Sequence, residues 1–270
     1  MALAESVDQR PLLQEGRKPL LNEVMAFGEF FGIQFHPVYW GIGVPRGDGS
    51  PVLTIPGFTA SDASLFYLNT FLGRINYRVY PSGIIYHRDP EHEIARLSQK
   101  VKDIYELKGQ RVHIVGHSLG GIVGRGISHL NPNETESLSA LGSPNGKGKD
   151  FEEAVNPLVL EWARMIVPTY RKTDEFTRKM EQLSQPLHPG IRTTYYFTQG
   201  DGVVDWQFTK DTSPKAKNVE VPGTHSALVA NPYVYRHLAN NLADISQAPP
   251  EPRGKVLFHP SFPTSSRSAA

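Results

Sequence analysis

The stretch "VHIVGHSLGGIVGRGI", Val112 to Ile127, constrains the fold of this chain more than any other. A β-branched apolar run passes into a packet of glycines holding one serine, and then into a helix-compatible segment. The pattern predicts a strand, a sharp turn at Gly116-His117-Ser118-Leu119-Gly120, and a helix despite its glycines. A serine hydroxyl is a poor nucleophile until geometry and a base activate it. A strand–turn–helix with Gly-x-Ser-x-Gly at the turn supplies the geometry. The flanking glycines let neighbouring backbone approach, and the helix aims its positive N-terminal end at the serine. The bland alternative, a glycine-rich turn with a solvated serine, has no need of that context.

The rest of the chain repeats the strand–helix rhythm. "PVLTIPGF" reads as a short buried strand, Val52 to Ile55, stopped by Pro56-Gly57. "SDASLFYLNTFL" reads as a helix with Ser61 as N-cap and Leu65, Leu68, Phe71 and Leu72 on one face. "YRVYP" is a second strand. In "EHEIARLSQKVKDIYELKG" a helical stripe runs through Ile94, Leu97, Val101, Ile104 and Leu107, and Gly109 can stop it. "LSALGSPNG", "TTYYFTQGDG" and "NVEVPG" are further strands ending in turns, with Tyr195, Tyr196 and Phe197 read as strand core. Asn231 and Pro232 open a last helix as N-cap and first helical residue. Strands alternating with helices imply an α/β protein with a mainly parallel sheet covered by helices on both faces. Near the N-terminus, "LLNEVMAFGEFFGIQF" holds two apolar trios at helical spacing, Leu21, Val24, Met25 and Phe27, Phe30, Phe31, interrupted by Gly28 and Gly32.

An activating base and its orienting acid are expected C-terminal to the serine, in the order serine, acid, histidine. Asp201 follows the strand Thr193 to Phe197, and His225 follows Val219 to Val221. In a parallel sheet both turns lie along the edge that carries Ser118, where active sites of open α/β sheets collect. His225 would take the proton of Ser118, and Asp201 would fix the tautomer and stabilise the imidazolium. Asp205, in "VVDW", is the rival acid, further from the strand end; either aspartate can also be a simple turn-former. Acyl chemistry needs two backbone N–H groups for the developing oxyanion. Leu119, after the serine, and Phe58, in "IPGF", are the candidates.

Together, Gly116-His117-Ser118-Leu119-Gly120-Gly121, Pro56-Gly57-Phe58, Asp201-Gly202-Val203-Val204 and Thr224-His225-Ser226 resemble the α/β-hydrolase superfamily, closest to its bacterial lipase- and esterase-like members. The resemblance spans roughly Val52 to Ile245. One departure is Pro56-Gly57, where many lipases carry His-Gly before the oxyanion residue. The resemblance implies a serine hydrolase acting on small-molecule acyl esters without a cofactor. Acyltransferases, thioesterases and lactonases carry similar elbows, and a ligand-binding protein on the same scaffold is the alternative of another class. It also implies that the strand-free insertion of about 145–190 caps the pocket, with Leu158, Leu160, Trp162, Met165 and Ile166 as its apolar groups.

Composition bounds the remaining classes. At 270 residues the chain can bury a sizeable core, and the reading is an arm over 1–19, a hydrolase domain over 20–246 and a Pro- and Ser-rich tail over 247–270 expected to be disordered. A formal charge of +1 gives no bulk electrostatic case for nucleic acid or anionic lipid. With no cysteine there is neither disulfide nor thiol catalysis. No apolar run approaches a membrane span, and the first residues hold no signal-peptide core, so the expectation is a cytoplasmic protein without stable membrane insertion. "YHRDPEHE", with His87, Asp89, Glu91, His92 and Glu93, matches no zinc spacing; it reads as a polar loop entering a helix, and no metal is expected. Oligomeric state leaves no mark in the sequence.

Overall fold

Six strands form one sheet: β1 (Pro51–Ile55), β2 (Arg78–Pro81), β3 (Val112–His117), β4 (Thr135–Leu141), β5 (Arg192–Phe197) and β6 (Lys217–Glu220). Every pairing is parallel, in the order β2-β1-β3-β4-β5-β6. The computed structural model describes residues 20–86, 89–145, 151–166 and 174–247. The expected arm over 1–19, the tail beyond Gln247 and His87 lie outside the described residues.

Parallel strands need crossovers, and helices supply them on both faces. On one face, Val52, Val115, Leu141 and Tyr196 pack against α2 (Phe66–Arg74) and α8 (Pro232–Gln247) through Leu68, Phe71, Tyr235 and Leu238. The Phe71 and Tyr235 rings stack at 4.3 Å. On the other face, Leu53, Ile55 and Ile114 pack against α3 (Pro90–Lys108) and α4 (Leu119–Leu130). Neighbouring residues such as Val52 and Leu53 point to opposite layers, as the period-2 pleat requires. The central strands β1 and β3 are buried on both faces and read as mainly apolar runs, whereas the edge strands β2 and β6 are largely exposed. Tyr195, Tyr196 and Phe197 are buried in this sheet.

The helix boundaries follow from local chemistry. Asp89 caps α3 by accepting the Glu91 N–H at 3.1 Å, and Gly109, at φ 65°, ends it. The polar run around it serves the helix: Glu93 pairs with Arg96 at 2.6 Å and Glu91 pairs with Lys179. Ile94, Leu97, Val101 and Ile104 are buried as the stripe predicts, but Leu107 is 70% exposed, because the last turn of α3 stands clear of the core. Asn231 Oδ1 accepts the N–H groups of Tyr233 and Val234, with Pro232 as the first residue of α8. Ser61 occupies its expected cap position without a side-chain cap bond; a 3-10 turn, Asp62–Leu65, precedes α2.

The N-terminal region departs further from the sequence reading, whereas the β4–β5 region follows it. The N-terminal segment is a 3-10 turn (Leu20–Met25), a short helix α1 (Ala26–Gly32) and another 3-10 turn (Ile33–Phe35). Its apolar trios do not form a buried face: Leu21 is 78% and Phe31 70% exposed, and Val24, Met25 and Phe27 are exposed as well. Only Phe30 packs against the core. Beside Ala26 and Ile33, the other inward positions are taken by polar side chains that hydrogen-bond the sheet's loops. Between β4 and β5 the described residues include three helices: α5 (Phe151–Ala154), α6 (Pro157–Ile166) and α7 (Asp174–Leu183). Buried Arg125 of α4 ties the end of α7 down, donating to the carbonyls of Leu183, Ser184 and Gln185 and pairing with Asp211 at 3.1 Å.

The chain runs from β1 out to β2 and returns past β1 to β3. The direction of strand order therefore reverses between β1 and β3. The crevice beyond their C-terminal ends is where open α/β sheets receive ligands.

Candidate active site

The loop after β1 and the turn after β3 meet at that reversal. Ser118 sits in the turn at φ 50°, ψ −121°, a backbone conformation that costs a non-glycine residue about 1–3 kcal/mol. The turn is held because the Ser118 N–H donates to Leu141 O at 2.8 Å, on the end of β4. The glycines make room for it. A Cβ on Gly116 would stand 2.3 Å from Gly120 O, and one on Gly120 would stand 2.3 Å from Ile55 O. The elbow is thereby pressed against the end of β1. Gly57 approaches so closely that a Cβ there would lie 3.2 Å from the Ser118 Cβ.

His225 and Asp201 come from the loops after β6 and β5. The His225 Nδ1 and Asp201 Oδ2 are 2.7 Å apart, both residues buried. The other Asp201 oxygen accepts the N–H groups of Val203 at 2.9 Å and Val204 at 2.7 Å, which fixes the carboxylate. Burial alone would lower the His225 pKa. The charge of Asp201, their hydrogen bond and the charge of Glu23 outweigh it, so the net shift is upward. Asp205, the rival acid, is turned elsewhere: its carboxylate caps a 3-10 turn (Trp206–Thr209) by accepting the Gln207 N–H at 3.0 Å.

His117 lies beside this pair. Its pKa is pushed down to about 3, first by burial and then by the neighbouring His225. A neutral ring whose Nε2 is 3.0 Å from the His225 carbonyl oxygen must donate there, so the tautomer follows from the hydrogen bond. His117 thus braces the His225 backbone.

Ser118 and His225 share the wall of one cavity of about 390 Å³. Phe58 and Leu119 line it too, beside the serine. Leu119 is the first residue of α4, so no carbonyl within the helix accepts its N–H. The remaining wall is mainly apolar, with Ile122 from α4, Val155, Val159, Leu160 and Trp162 from the β4–β5 insertion, and Phe30 from α1, beside the polar Thr59, Ser64 and Ser226. The Trp162 ring meets Phe58 edge-on at 5.9 Å. Of the other insertion residues singled out in the sequence, Leu158 and Met165 are exposed, and the Ile166 side chain lies outside the description.

Sequence reasoning missed Glu23 and Glu29. Glu23 Oε1 accepts the N–H groups of Gly202 at 3.0 Å and His225 at 3.1 Å, and Oε2 accepts that of Ser226 at 2.8 Å. Glu29 accepts the Thr224 hydroxyl at 2.7 Å. No motif marks either residue, since these contacts join chain positions about two hundred residues apart, 202 in the case of Glu23 and His225.

Among the described residues, no helix is long and apolar enough to cross a membrane. No protein-family model and no curated protein matches the chain. Solved structures do match it. A carboxylesterase from Bacillus subtilis aligns at a TM-score of 0.51 and 14% identity, over 83% of this chain and 99% of its own. A Bacillus licheniformis lipase aligns at a TM-score of 0.53 and 17% identity, over 75% and 95%. The alpha/beta hydrolase domain-containing protein 10 from mouse aligns at 0.50 and 16% identity, over 74% and 91%.

Proposed function

We propose that this chain, which has the α/β-hydrolase fold, is a serine hydrolase cleaving carboxylic esters through an acyl-enzyme. The observation that carries the reading is the 2.7 Å contact of His225 Nδ1 with Asp201, with His225 and Ser118 on the wall of one apolar cavity. With Nδ1 engaged by Asp201, the remaining ring nitrogen, Nε2, is the base. It takes the Ser118 proton as the hydroxyl oxygen attacks the acyl carbonyl. Asp201 stays ionised and stabilises the imidazolium. The oxyanion of the tetrahedral intermediate is received by the N–H groups of Leu119 and Phe58, aided by the α4 dipole. The imidazolium then protonates the departing alkoxide, and water repeats the sequence on the acyl-enzyme.

The apolar wall favours an acyl group over a polar acid, because pockets of this kind select by burial with few polar groups. The β4–β5 insertion acts as the cap that shapes this wall. A fluorophosphonate probe tests the nucleophile: wild type should be labelled at Ser118, and Ser118→Ala should lose both labelling and turnover of p-nitrophenyl esters. Labelling at a different serine would transfer the role and end this reading.

A further inference from the structure

We infer that Glu23 is a positioning residue, its carboxylate clamping the loop that carries Asp201 to the loop that carries His225. The inference rests on the serine-hydrolase reading of those loops. The loops hang from the ends of β5 and β6, at the edge of the sheet furthest from β2. Glu23 reaches both from the N-terminal 3-10 turn. Its two oxygens accept three backbone N–H groups, one from Gly202 beside Asp201 and two from His225 and Ser226. An ionised carboxylate makes stronger hydrogen bonds than a neutral acceptor. Asn22 adds a bond to Gly200 O, and Glu29 holds the Thr224 hydroxyl. The inner face of the segment thus combines these polar groups with Ala26, Phe30 and Ile33, and the remaining apolar side chains are left exposed.

The clamp has an electrostatic consequence. The titratable groups facing His225 are Asp201 from the β5 loop, His117 from the end of β3 and Glu23 from the N-terminal turn, with Glu29 one residue away on Thr224. Glu23, being anionic, favours the imidazolium. Turnover needs neutral His225, so removing the Glu23 charge should move the acid limb of kcat/KM to lower pH. A role in packing alone would leave that limb where it is.

The test compares full-length wild type, Glu23→Gln, Glu23→Asp and Glu23→Ala on p-nitrophenyl butyrate, with active sites counted by fluorophosphonate. Misplacing a catalytic group by about 1 Å can cost about 100-fold, so Glu23→Ala should lower kcat per active site about 10- to 100-fold, with KM changing far less. Glu23→Gln should shift the acid limb downward, and Glu23→Asp, which keeps the charge, should return it toward wild type. The His225 imidazole titration, followed by nitrogen-15 NMR, reads the same contact without turnover and should fall in Glu23→Gln. If limb and NMR midpoint both stay put in Glu23→Gln, or kcat per active site in Glu23→Ala stays within about twofold of wild type, the clamp is overturned. If wild type neither turns over ester nor reacts with the probe, the serine-hydrolase reading fails separately, and the NMR midpoint still decides the contact.

Discussion

Asp201 and Asp205 are four positions apart in one loop, and their hydrogen bonds separate them. Asp201 faces His225 Nδ1, while Asp205 caps a 3-10 turn. Replacing Asp201 by Asn would present an amide where the ring needs an anion and would favour the wrong tautomer. We expect Asp201→Asn to lower kcat about 10⁴-fold, as in the best-studied triad. Asp205→Asn keeps an oxygen for the Gln207 N–H and should leave kcat near wild type; steady-state kinetics at neutral pH checks both, and the reverse ranking would make Asp205 the acid. At this scale the candidate site was partly legible. Ser118, Asp201 and His225 follow strands, and a strand followed by a turn leaves a local pattern of β-branched residues and then glycine. Glu23 could not be read in the same way. It acts on backbone N–H groups remote in the chain, and such contacts ask nothing of the residue types they join.

At the scale of elements, the same distinction separates what periodicity predicts from what it misses. The sheet strands and α3 follow their patterns because one buried layer decides each face. The N-terminal segment misleads, since its apolar trios satisfy a 3.6-residue period while Glu23 and Glu29 take inner positions and only Phe30 of the trios packs inward. The β4–β5 insertion is intermediate. It lacks strand signals, as expected, but only the contacts separate Leu160 and Trp162, which line the cavity, from Met165, which is exposed. This division yields a paired prediction. Trp162 is half-exposed and packs on Phe58, so Trp162→Ala enlarges the cavity without emptying the core. One methylene in an apolar pocket is worth about 10-fold or more in kcat/KM, so the preference among p-nitrophenyl esters of increasing length should shift toward longer chains by about that factor. Met165→Ala should leave the ranking unchanged. An equal response from both variants would mean that α6 acts through stability rather than as a wall.

On the scale of the whole molecule, the buried histidines set how the fold responds to acid. His113 and His129 are pushed down to about 4 and His117 to about 3, in each case first by burial. The charge of His225 adds to this at His117 and that of Arg125 at His129, while at His113 the nearby Asp48 opposes it and Arg192 adds to it. In the unfolded chain each ring titrates near its ordinary value of 6.5. Below that value the unfolded chain therefore binds protons that the folded chain refuses, and stability falls with pH. Each ring contributes at most about 1.4 kcal/mol per pH unit, so three together approach about 4 kcal/mol per unit. His225 acts in the opposite sense: its raised pKa contributes stability fully present below 6.5 and lost as pH rises through its folded value. Urea unfolding at about pH 6 and about pH 5 should thus show a steep loss, in a window above the main carboxylate titrations. His113 is the cleanest ring to remove, being remote from the cavity and bonded through Nδ1 to the Ser137 hydroxyl at 2.8 Å. His113→Asn retains a polar group near that position and deletes one titration. Whatever it costs at neutral pH, the variant should lose roughly a third of the acid slope, the share of one ring in three. An undiminished slope would show that His113 is protonated in the folded protein, against its burial in the sheet.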